Sequence, residues 1–421
     1  MLAITKYITL NLRLTVCALL LFSCLFSCKT ETVKFDCKNA EIIEAPSGLS
    51  IAEEDKYYYE SYGFVPPLNQ KYKNDFPLGV AMANHQRFSA EGELVKYHFD
   101  AITPENELKP NYVQPFEGDW RWDDADNLLA FAQMNGKEFH GHCLVWHWQT
   151  SEWMFQSPDN PNNQVSREKL IERMKTHISN VVGRYKGKIK YWDVVNEVIS
   201  TDNTNPDNLY RPSYWYEIIG PEFIELAFQF TQEADPDALL VFNEYGLADS
   251  QKRAKALKVI GALLEKGVKI DAIAEQAHWF LNWPSTGQIR NMINDFHNLG
   301  QQYGVDLKFL ISELDIDVYN GNTNAAEMAY VSVEENLTAR YDDIFKVFRE
   351  ESDKIDKLSF WHISDSYTWL EFYFAPGRAT YPLLFDKEQK PKQCFWSVVN
   401  FDAGSGYENF RQNWIEENLC N

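Results

Sequence analysis

Residues 189–197 read Ile-Lys-Tyr-Trp-Asp-Val-Val-Asn-Glu, an apolar run that ends in an acidic residue, Glu197. A second run, residues 308–313, reads Lys-Phe-Leu-Ile-Ser-Glu and ends in Glu313. Short runs rich in β-branched and aromatic residues are typical of buried strands. The carboxyl ends of the strands in a parallel barrel converge on one mouth. We therefore predict that these two glutamates, which are far apart in the chain, face each other at one end of a barrel.

Eight strand-like runs occur along the chain, separated by stretches long enough for helical connections. They are residues 76–82, 99–103, 137–146, 189–195, 239–242, 270–274, 308–311 and 357–361. Helix-like stretches include residues 167–185, 221–234 and 250–266, and we also expect a helix over 57–73 and a long loop over 318–330. Eight alternating strands and helices predict an α/β fold with a closed (β/α)8 TIM barrel. An open doubly wound sheet is the alternative, but the glycine-rich phosphate loop that usually marks that fold is missing.

The composition fits one large globular unit. The chain has 421 residues, of which 45% are hydrophobic, enough to fill a large core. The formal net charge of −21 argues against nucleic acid and anionic membrane surfaces as partners. The 13 Trp and 22 Tyr residues exceed what packing requires, and flat aromatic rings suit the faces of sugars. We expect a single catalytic domain over residues 56–421 that acts as a monomer.

The first residues predict export. An apolar run over residues 16–26 follows two basic residues and is too short for a comfortable membrane span. Residues 25–28 read Leu-Phe-Ser-Cys, which resembles a bacterial lipoprotein cleavage box, and Cys28 would then be lipidated. A near copy ends at Cys24, so either cysteine could be the modified residue. An ordinary secretory signal is the alternative.

This interpretation assigns residues 1–28 to a signal peptide and residues 29–55 to a tether. The protein would be anchored by lipid at the bacterial cell envelope, at the outer membrane, with no other contact to the membrane. Without the lipid it would be periplasmic or secreted.

The remaining cysteines do not form a recognisable framework. Cys17 lies within the predicted signal, and the mature chain has Cys37, Cys143, Cys394 and Cys420, with no CxxC or Cys/His metal-binding spacing among them. Cys37 and Cys420 are a possible disulfide pair, which the sequence leaves open.

Polar and aromatic residues collect directly after nearly every predicted strand. The candidates are Glu105, Asn106, Lys109, His142, Trp146, His147, Gln149, Asn196, Glu197, Tyr245, Gln276, His278, Glu313, Asp315, Trp361 and Trp369. One such cluster is weak evidence, because strand ends meet solvent and each residue alone could be a surface or packing residue. Their recurrence on one face of the predicted barrel indicates a sugar-binding cleft.

Two carboxylates in such a cleft are the equipment for hydrolysing a glycosidic bond. Glu197, beside Asn196, suits the general acid/base, and Asn196 could bond the sugar 2-hydroxyl. Glu313 suits the nucleophile, since His278 and Asp315 could hold it ionised and oriented. Retention would require a carboxyl separation of about 5–5.5 Å, and inversion about 6.5–9.5 Å.

Several motifs together resemble one known family. They are Trp-Asp-Val-Val-Asn-Glu at 192–197, Ile-Ser-Glu-Leu-Asp at 311–315, Thr-Pro-Glu-Asn at 103–106 with Lys109, Gly-His-Cys-Leu-Val-Trp-His at 141–147 with Gln149, Gln-Ala-His at 276–278, and Trp-His-Ile-Ser-Asp at 361–365 with Trp369. This set resembles the family 10 glycoside hydrolases, the endo-β-1,4-xylanases. The motifs occur in the family's order over nearly the whole predicted domain.

The resemblance implies a (β/α)8 barrel with an open cleft for xylan or xylo-oligosaccharides, retaining hydrolysis, and no metal or organic cofactor. Glu197 would be the acid/base and Glu313 the nucleophile. Residues on the non-reducing side of the substrate would be Glu105, Asn106, Lys109, His142, Trp146 and Gln149. Residues of the central subsite would be His147, Asn196, Gln276 and His278. Stacking and cleft walls would come from Tyr245, Trp361 and Trp369.

Four places depart from the family pattern. Pro110 follows Lys109 where Trp is usual, and Glu244 and Gly246 flank Tyr245 where Asp and Asn are common. Glu275 and His362 stand where an apolar residue and Gly are familiar. None of these departures involves Glu197 or Glu313, but they leave the strength of the subsites and the preferred substituents open.

Two alternatives to a xylanase remain. One is a related β-glycanase acting on β-glucan or xylo-oligosaccharides, and the other is a non-catalytic glycan-binding surface lipoprotein.

Overall fold

The strands of this chain close into a barrel of eight parallel strands in the computed structural model, which describes residues 65–373 and 376–399. The strands are β1 (Leu78–Met82), β2 (Ala101–Pro104), β3 (Glu138–Gly141), β4 (Val145–Trp146), β5 (Tyr191–Asn196), β6 (Leu239–Glu244), β7 (Ala272–Glu275), β8 (His278–Phe280), β9 (Lys308–Asp317) and β10 (Ile355–Phe360). The barrel order is β1-β2-β3-β5-β6-β7-β9-β10, and β10 pairs with β1 to close it. The short strands β4 and β8 extend the pairing of β5 and β9 at the mouth.

Helices cover the outside of the barrel. They are α1 (Leu68–Lys71), α2 (Ala90–His98), α3 (Pro110–Val113), α4 (Asp123–Met134), α5 (Arg167–Arg184), α6 (Tyr214–Ile219), α7 (Glu222–Ala234), α8 (Ser250–Glu265), α9 (Thr286–Tyr303), α10 (Tyr330–Glu350), α11 (Leu370–Tyr373) and α12 (Gln393–Val399). Side-chain caps mark several starts: Ser166 accepts from the Lys169 amide, and Ser285 forms a capping box with Gln288. Helix α9 ends at Gly304 in the left-handed conformation.

Two apolar layers hold the barrel. Inside it, a small cluster is formed by Tyr191, Val241, Ala272, Ala274 and Leu310. A much larger cluster fills the space between the sheet and the helices. Packed interiors on both faces of the strands make the barrel a rigid support for side chains at its mouth.

Two strands carry β-bulges, one just before Glu197 and one that includes Glu313. From Asp193 to Val195, two steps on β5 oppose one step on β6. From Ile311 to Leu314, three steps on β9 oppose two on β10. A bulge changes which face the following side chains point to. The alternation of side chains along β5 and β9 therefore shifts just before the mouth.

All eight predicted strands are present, and the closed barrel excludes the open-sheet alternative. The predicted strand 137–146 is interrupted, because β3 ends at Gly141 and β4 begins at Val145. The three predicted outer helices and the loop 318–329 are also found. Of the predicted helix 57–73, the described part contains α1 only, since residues 57–64 lie outside the described residues.

The signal peptide, the tether, Cys24, Cys28, Cys37 and Cys420 also lie outside the described residues. Cys143 and Cys394 are both buried free thiols. In the part of the chain that the structure describes, no helix has the length and apolarity to cross a membrane.

Candidate active site

The predicted site residues come together in one cleft at the carboxyl ends of the strands. A cavity of about 930 Å³ opens there, large enough for several sugar units. All sixteen sequence candidates line it: Glu105, Asn106, Lys109, His142, Trp146, His147, Gln149, Asn196, Glu197, Tyr245, Gln276, His278, Glu313, Asp315, Trp361 and Trp369. The cleft therefore assembles groups from nearly every strand end.

Glu197 directly follows β5 and has a positive φ of 58°. Its amide donates to the Asn243 carbonyl at 3.0 Å, which fixes this unusual backbone conformation. Its carboxylate accepts from Gln276 Nε2 at 3.2 Å, and nitrogens of His147 and Arg211 each lie 4.0 Å from Oε2. No helix begins here, so the carboxylate is not a helix-start residue.

Glu197 has a raised pKa. Burial is the largest cause, and the charge of Glu244 adds to it, while Arg211 opposes both. A raised pKa keeps the carboxyl group protonated to higher pH, as a general acid requires.

Glu313 lies in β9 and is almost fully buried. Its Oε1 accepts from Asn243 Nδ2 at 2.8 Å, and its Oε2 lies 3.2 Å from His278 Nε2. Burial alone would raise its pKa, but the hydrogen bond from His278 and the charges and bonds around it outweigh burial, and the pKa is lowered. Glu313 is therefore held ionised.

A chain of amides joins the two carboxylates. Gln276 Nε2 donates to both Glu197 Oε1 and Asn196 Oδ1, the latter at 3.1 Å. Asn243 Nδ2 donates to both Asn196 Oδ1 at 2.9 Å and Glu313 Oε1. Because Asn196 Oδ1 already accepts twice, its amide nitrogen is the group that can donate to a ligand.

His278 is held by two carboxylates. Its Nδ1 lies 3.0 Å from Asp315 Oδ1, and Asp315 also accepts from Trp369 Nε1 at 2.7 Å. Burial lowers the pKa of His278, but the charges and hydrogen bonds of Asp315 and Glu313 outweigh burial and raise this pKa to about 10. The imidazolium can therefore donate to both carboxylates and places a positive charge beside Glu313.

A second buried network lies beneath His142. Asp193 accepts from His142 Nδ1 and from His140 Nε2, both at 2.8 Å, and Lys357 Nζ contacts His140 Nδ1 at 2.5 Å. Burial raises the pKa of Asp193, but the two histidines outweigh burial and hold this pKa well below the usual range. Burial lowers the pKa of Lys357 to about 8. This network fixes the ring of His142 at the cleft floor.

One end of the cleft presents polar groups around two tryptophans. Lys109 Nζ donates to Asn106 Oδ1 at 3.0 Å and lies 5.3 Å from the Trp146 ring and 5.7 Å from the Trp361 ring. Within the described residues, the buried atoms Glu105 Oε2 and Trp146 Nε1 have no hydrogen-bond partner. Buried polar atoms are normally satisfied, so these two are suited to a ligand's hydroxyl groups.

The other end is built around Tyr245. Arg211 Nη2 donates to the Tyr245 hydroxyl at 2.7 Å, and Lys252 Nζ lies 3.4 Å from the centre of the ring. Lys252 also forms a buried 2.7 Å ion pair with Glu244. The Tyr245 ring is therefore held in place from two sides by cations.

The departures from the family pattern differ in how the structure accommodates them. Glu275 accepts from the amides of Gly246 and Leu247 and from Trp279 Nε1, and so organises the loop after β6. Pro110 is the first residue of α3, where proline is well tolerated. His362 is fully buried at φ 91°, a conformation that favours glycine. Burial lowers the pKa of His362 to about 3 and keeps it neutral.

Sequence reasoning missed several residues in and beneath the cleft, and three of them illustrate why. Asn243 bridges both sides of the site, although it was visible as a polar residue at the end of β6. Arg211 reaches Glu197 because an antiparallel bridge, Ile199 to Tyr210, folds its loop back. Trp148 lies between two predicted site residues and also lines the cavity.

Comparisons with known proteins agree with this geometry. The family model described as glycosyl hydrolase family 10 matches residues 67–401. The endo-1,4-beta-xylanase of Geobacillus stearothermophilus is 39% identical over 338 residues, which cover 80% of this chain and 98% of that protein. Among solved structures, xylanase B from Clostridium stercorarium F9 has 36% identity and a TM-score of 0.75, covering 80% of this chain and 100% of that one. A mutant protein in complex with xylotriose has 33% identity and a TM-score of 0.74, over 80% of this chain and 100% of that one. This chain belongs to glycosyl hydrolase family 10.

Proposed function

We propose that the protein is a retaining endo-β-1,4-xylanase that hydrolyses internal β-1,4-xylosidic bonds of xylan. The observation that carries this function is the opposite setting of two carboxyl groups in one cleft. The pKa of Glu197 is raised and the pKa of Glu313 is lowered. One group is thus ready to give a proton and the other to attack.

In the first step, Glu313 attacks the anomeric carbon of the sugar at the centre of the cleft. Glu197 gives its proton to the glycosidic oxygen, and the C–O bond breaks. The reducing-side part of the substrate leaves as an alcohol, and the rest is bound to Glu313 as a glycosyl ester.

In the second step, Glu197 is ionised and acts as a base. It takes a proton from a water molecule, whose oxygen attacks the same anomeric carbon and releases Glu313. Two inversions at one carbon give net retention. The proton returned to Glu197 restores the enzyme.

The neighbouring residues position these two groups. Asn196, through its amide nitrogen, donates to the 2-hydroxyl of the central sugar, a contact that strengthens in the transition state. His278 keeps Glu313 ionised until it attacks. Residues around Lys109 and Trp146 bind the non-reducing side, while Tyr245 stacks on the first sugar of the leaving side.

Xylan is the substrate class that the relatives favour. The relative named endo-1,4-beta-xylanase from Geobacillus stearothermophilus is matched over 98% of its length, and one related structure is a complex with xylotriose. A β-glucan substrate is the alternative among enzymes. A glycan-binding protein without turnover would not need carboxyl groups with opposite pKa shifts.

Product analysis tests this proposal. The purified protein should release xylo-oligosaccharides of several lengths from xylan, with retained β-configuration in the first products seen by NMR. Higher activity on mixed-linkage glucan or cellulose than on xylan would contradict the substrate assignment. Binding of xylan without any reducing-sugar release would contradict the enzyme assignment.

We also propose that the protein is an exported monomer, anchored at the outer membrane through lipid on Cys28. The support is the sequence at residues 16–28. In the native bacterium, Cys28→Ser should lose lipid labelling and move the activity from the membrane fraction to the soluble fraction. Cys24→Ser is the matched control, and loss of labelling in that variant alone would assign the anchor to Cys24.

A further inference from the structure

Two aromatic side chains at the rim of the cleft take no part in the chemistry above. Trp148 follows β4 and is 47% exposed, and Tyr373 ends α11 and is 54% exposed. Their ring centroids lie 5.3 Å apart with 58° between the planes. The two rings come from loops after the third and the eighth strands of the barrel, so these loops meet above the strands between them.

The pair continues the inner aromatic wall of the cleft. The Trp148 ring lies 5.5 Å from the Trp146 ring, and the Tyr373 ring lies 5.7 Å from the Trp369 ring. Both outer residues line the same cavity as the two inner tryptophans. The outer pair is therefore the next layer of one continuous aromatic surface.

The exposure of this pair differs from that of packing residues. Trp192 and Trp279, which pack the barrel, are fully buried. Single exposed aromatics are ordinary, but contiguous exposed apolar patches with a polar rim mark ligand grooves. Both rings are about half exposed and line the cavity, so part of their surface is accessible to a sugar.

The position of the pair identifies which end of the cleft it extends. Gln149, the next residue after Trp148, donates to Asn106 Oδ1 at 3.4 Å, and Lys109 donates to the same oxygen. These residues form the group assigned to the non-reducing side. The pair therefore lies on that side, beside the buried Trp146 and more exposed to solvent than it.

We propose that Trp148 and Tyr373 form an outer subsite that stacks on one further xylosyl residue of a linear β-1,4-xylan chain. This inference rests on the proposed function and adds a chain-length preference to it. The occupant is the substrate's own backbone, because the pair belongs to the cavity that holds the reacting sugars. The opposite possibility, that the two loops close the cleft to longer chains, is an outcome of the test.

The test compares kcat/KM on xylotriose, xylotetraose, xylopentaose and xylohexaose. For Trp148→Ala and Tyr373→Ala, we expect losses of about 3- to 10-fold on the two longest substrates and less than about 2-fold on xylotriose, as for one aromatic contact. Trp148→Phe should keep most of the activity on long substrates. Phe88→Ala, at an exposed aromatic outside the cavity, is the matched control and should change nothing.

Equal losses at all lengths would assign the pair a structural role, and a gain on long substrates would show that it closes the cleft; either result overturns the proposal. Affinity for the same oligosaccharides in the Glu313→Ala background separates binding from turnover. If the wild-type protein cleaves xylan and both alanine variants keep its kcat/KM on every substrate, the outer subsite is overturned but the proposed function is not. Wild-type protein that does not cleave xylan would overturn the proposed function.

Discussion

The surroundings of Glu197 and Glu313 differ in how each carboxylate is supported. Glu313 lies within a strand, almost fully buried, and both its oxygens have partners less than 3.5 Å away. Glu197 lies just after a strand, with one close partner and nitrogens of His147 and Arg211 at 4.0 Å. A group that must stay ionised is held tightly, whereas a group that must change its protonation state twice is held loosely.

Replacing Glu313 with Ala should remove the tightly held carboxylate. We expect kcat on xylan to fall by about 10⁴-fold or more, because no other group can form the glycosyl ester. Reducing-sugar release measures the loss, and circular dichroism with xylotriose binding checks that the fold and the cleft persist. Retained activity would contradict the role of Glu313 as the nucleophile.

Replacing Glu197 with Ala should have a smaller effect that depends on the leaving group. We expect kcat/KM on xylan to fall by about 10²- to 10⁴-fold, because the leaving alcohol is no longer protonated. Aryl xylobiosides whose leaving group needs no proton should react nearly normally in the first step, seen as a burst of phenolate. Glu217→Ala on the exposed surface is the control. An equal loss on both substrates would exclude the acid role.

Replacing His278 with Gln should weaken the support of Glu313 without removing it. We expect a loss of about 10²-fold in kcat/KM, as for one strong donor. The pKa of Glu313 should rise, so a larger fraction is protonated at low pH and the acidic limb of the pH profile moves to higher pH. His297→Gln, on the outer helix α9, should leave the profile unchanged. An unmoved acidic limb would show that His278 does not keep Glu313 ionised.

Replacing Arg211 with Gln should have the smallest effect, because it changes only the surroundings of the loosely held Glu197. Arg211 lowers the pKa of Glu197, so its loss should raise that pKa and move the basic limb of the pH profile to higher pH. We expect a change in optimal kcat/KM of less than about 10-fold. Arg211→Lys keeps the charge and should move the limb less, while Arg184→Gln on an outer helix should not move it. A shift to lower pH would contradict this electrostatic role.

The barrel could be predicted from the sequence because strands and helices are indicated by patterns among neighbouring residues. Apolar runs and helix caps such as Ser166 and Ser285 depend on neighbours in the chain. The predicted end of the strand before Glu197 is confirmed, whereas β9 continues beyond Glu313 to Asp317. The strand ends also located the cleft, since parallel strands bring their carboxyl ends together.

The contacts inside the cleft could not be predicted in the same way. Asn243 donates to two groups on different strands, and Arg211 reaches Glu197 only through the fold of its loop. The contact of Trp148 with Tyr373 joins two loops more than half the chain apart. Such contacts depend on the packing of residues far apart in the chain, which a pattern among neighbouring residues does not predict.

Because β5 and β9 contain bulges, the number of residues in these two strands determines which side chains reach the active site. In a regular strand, neighbouring side chains point to opposite faces, yet Ser312 and Glu313 both contact Asn243. A deletion of one residue at either bulge could leave a regular ladder and an intact barrel, but the side chains beyond it would turn to the opposite face. The number of residues in these two strands therefore decides whether the carboxyl groups face the cleft, independently of the closure of the barrel.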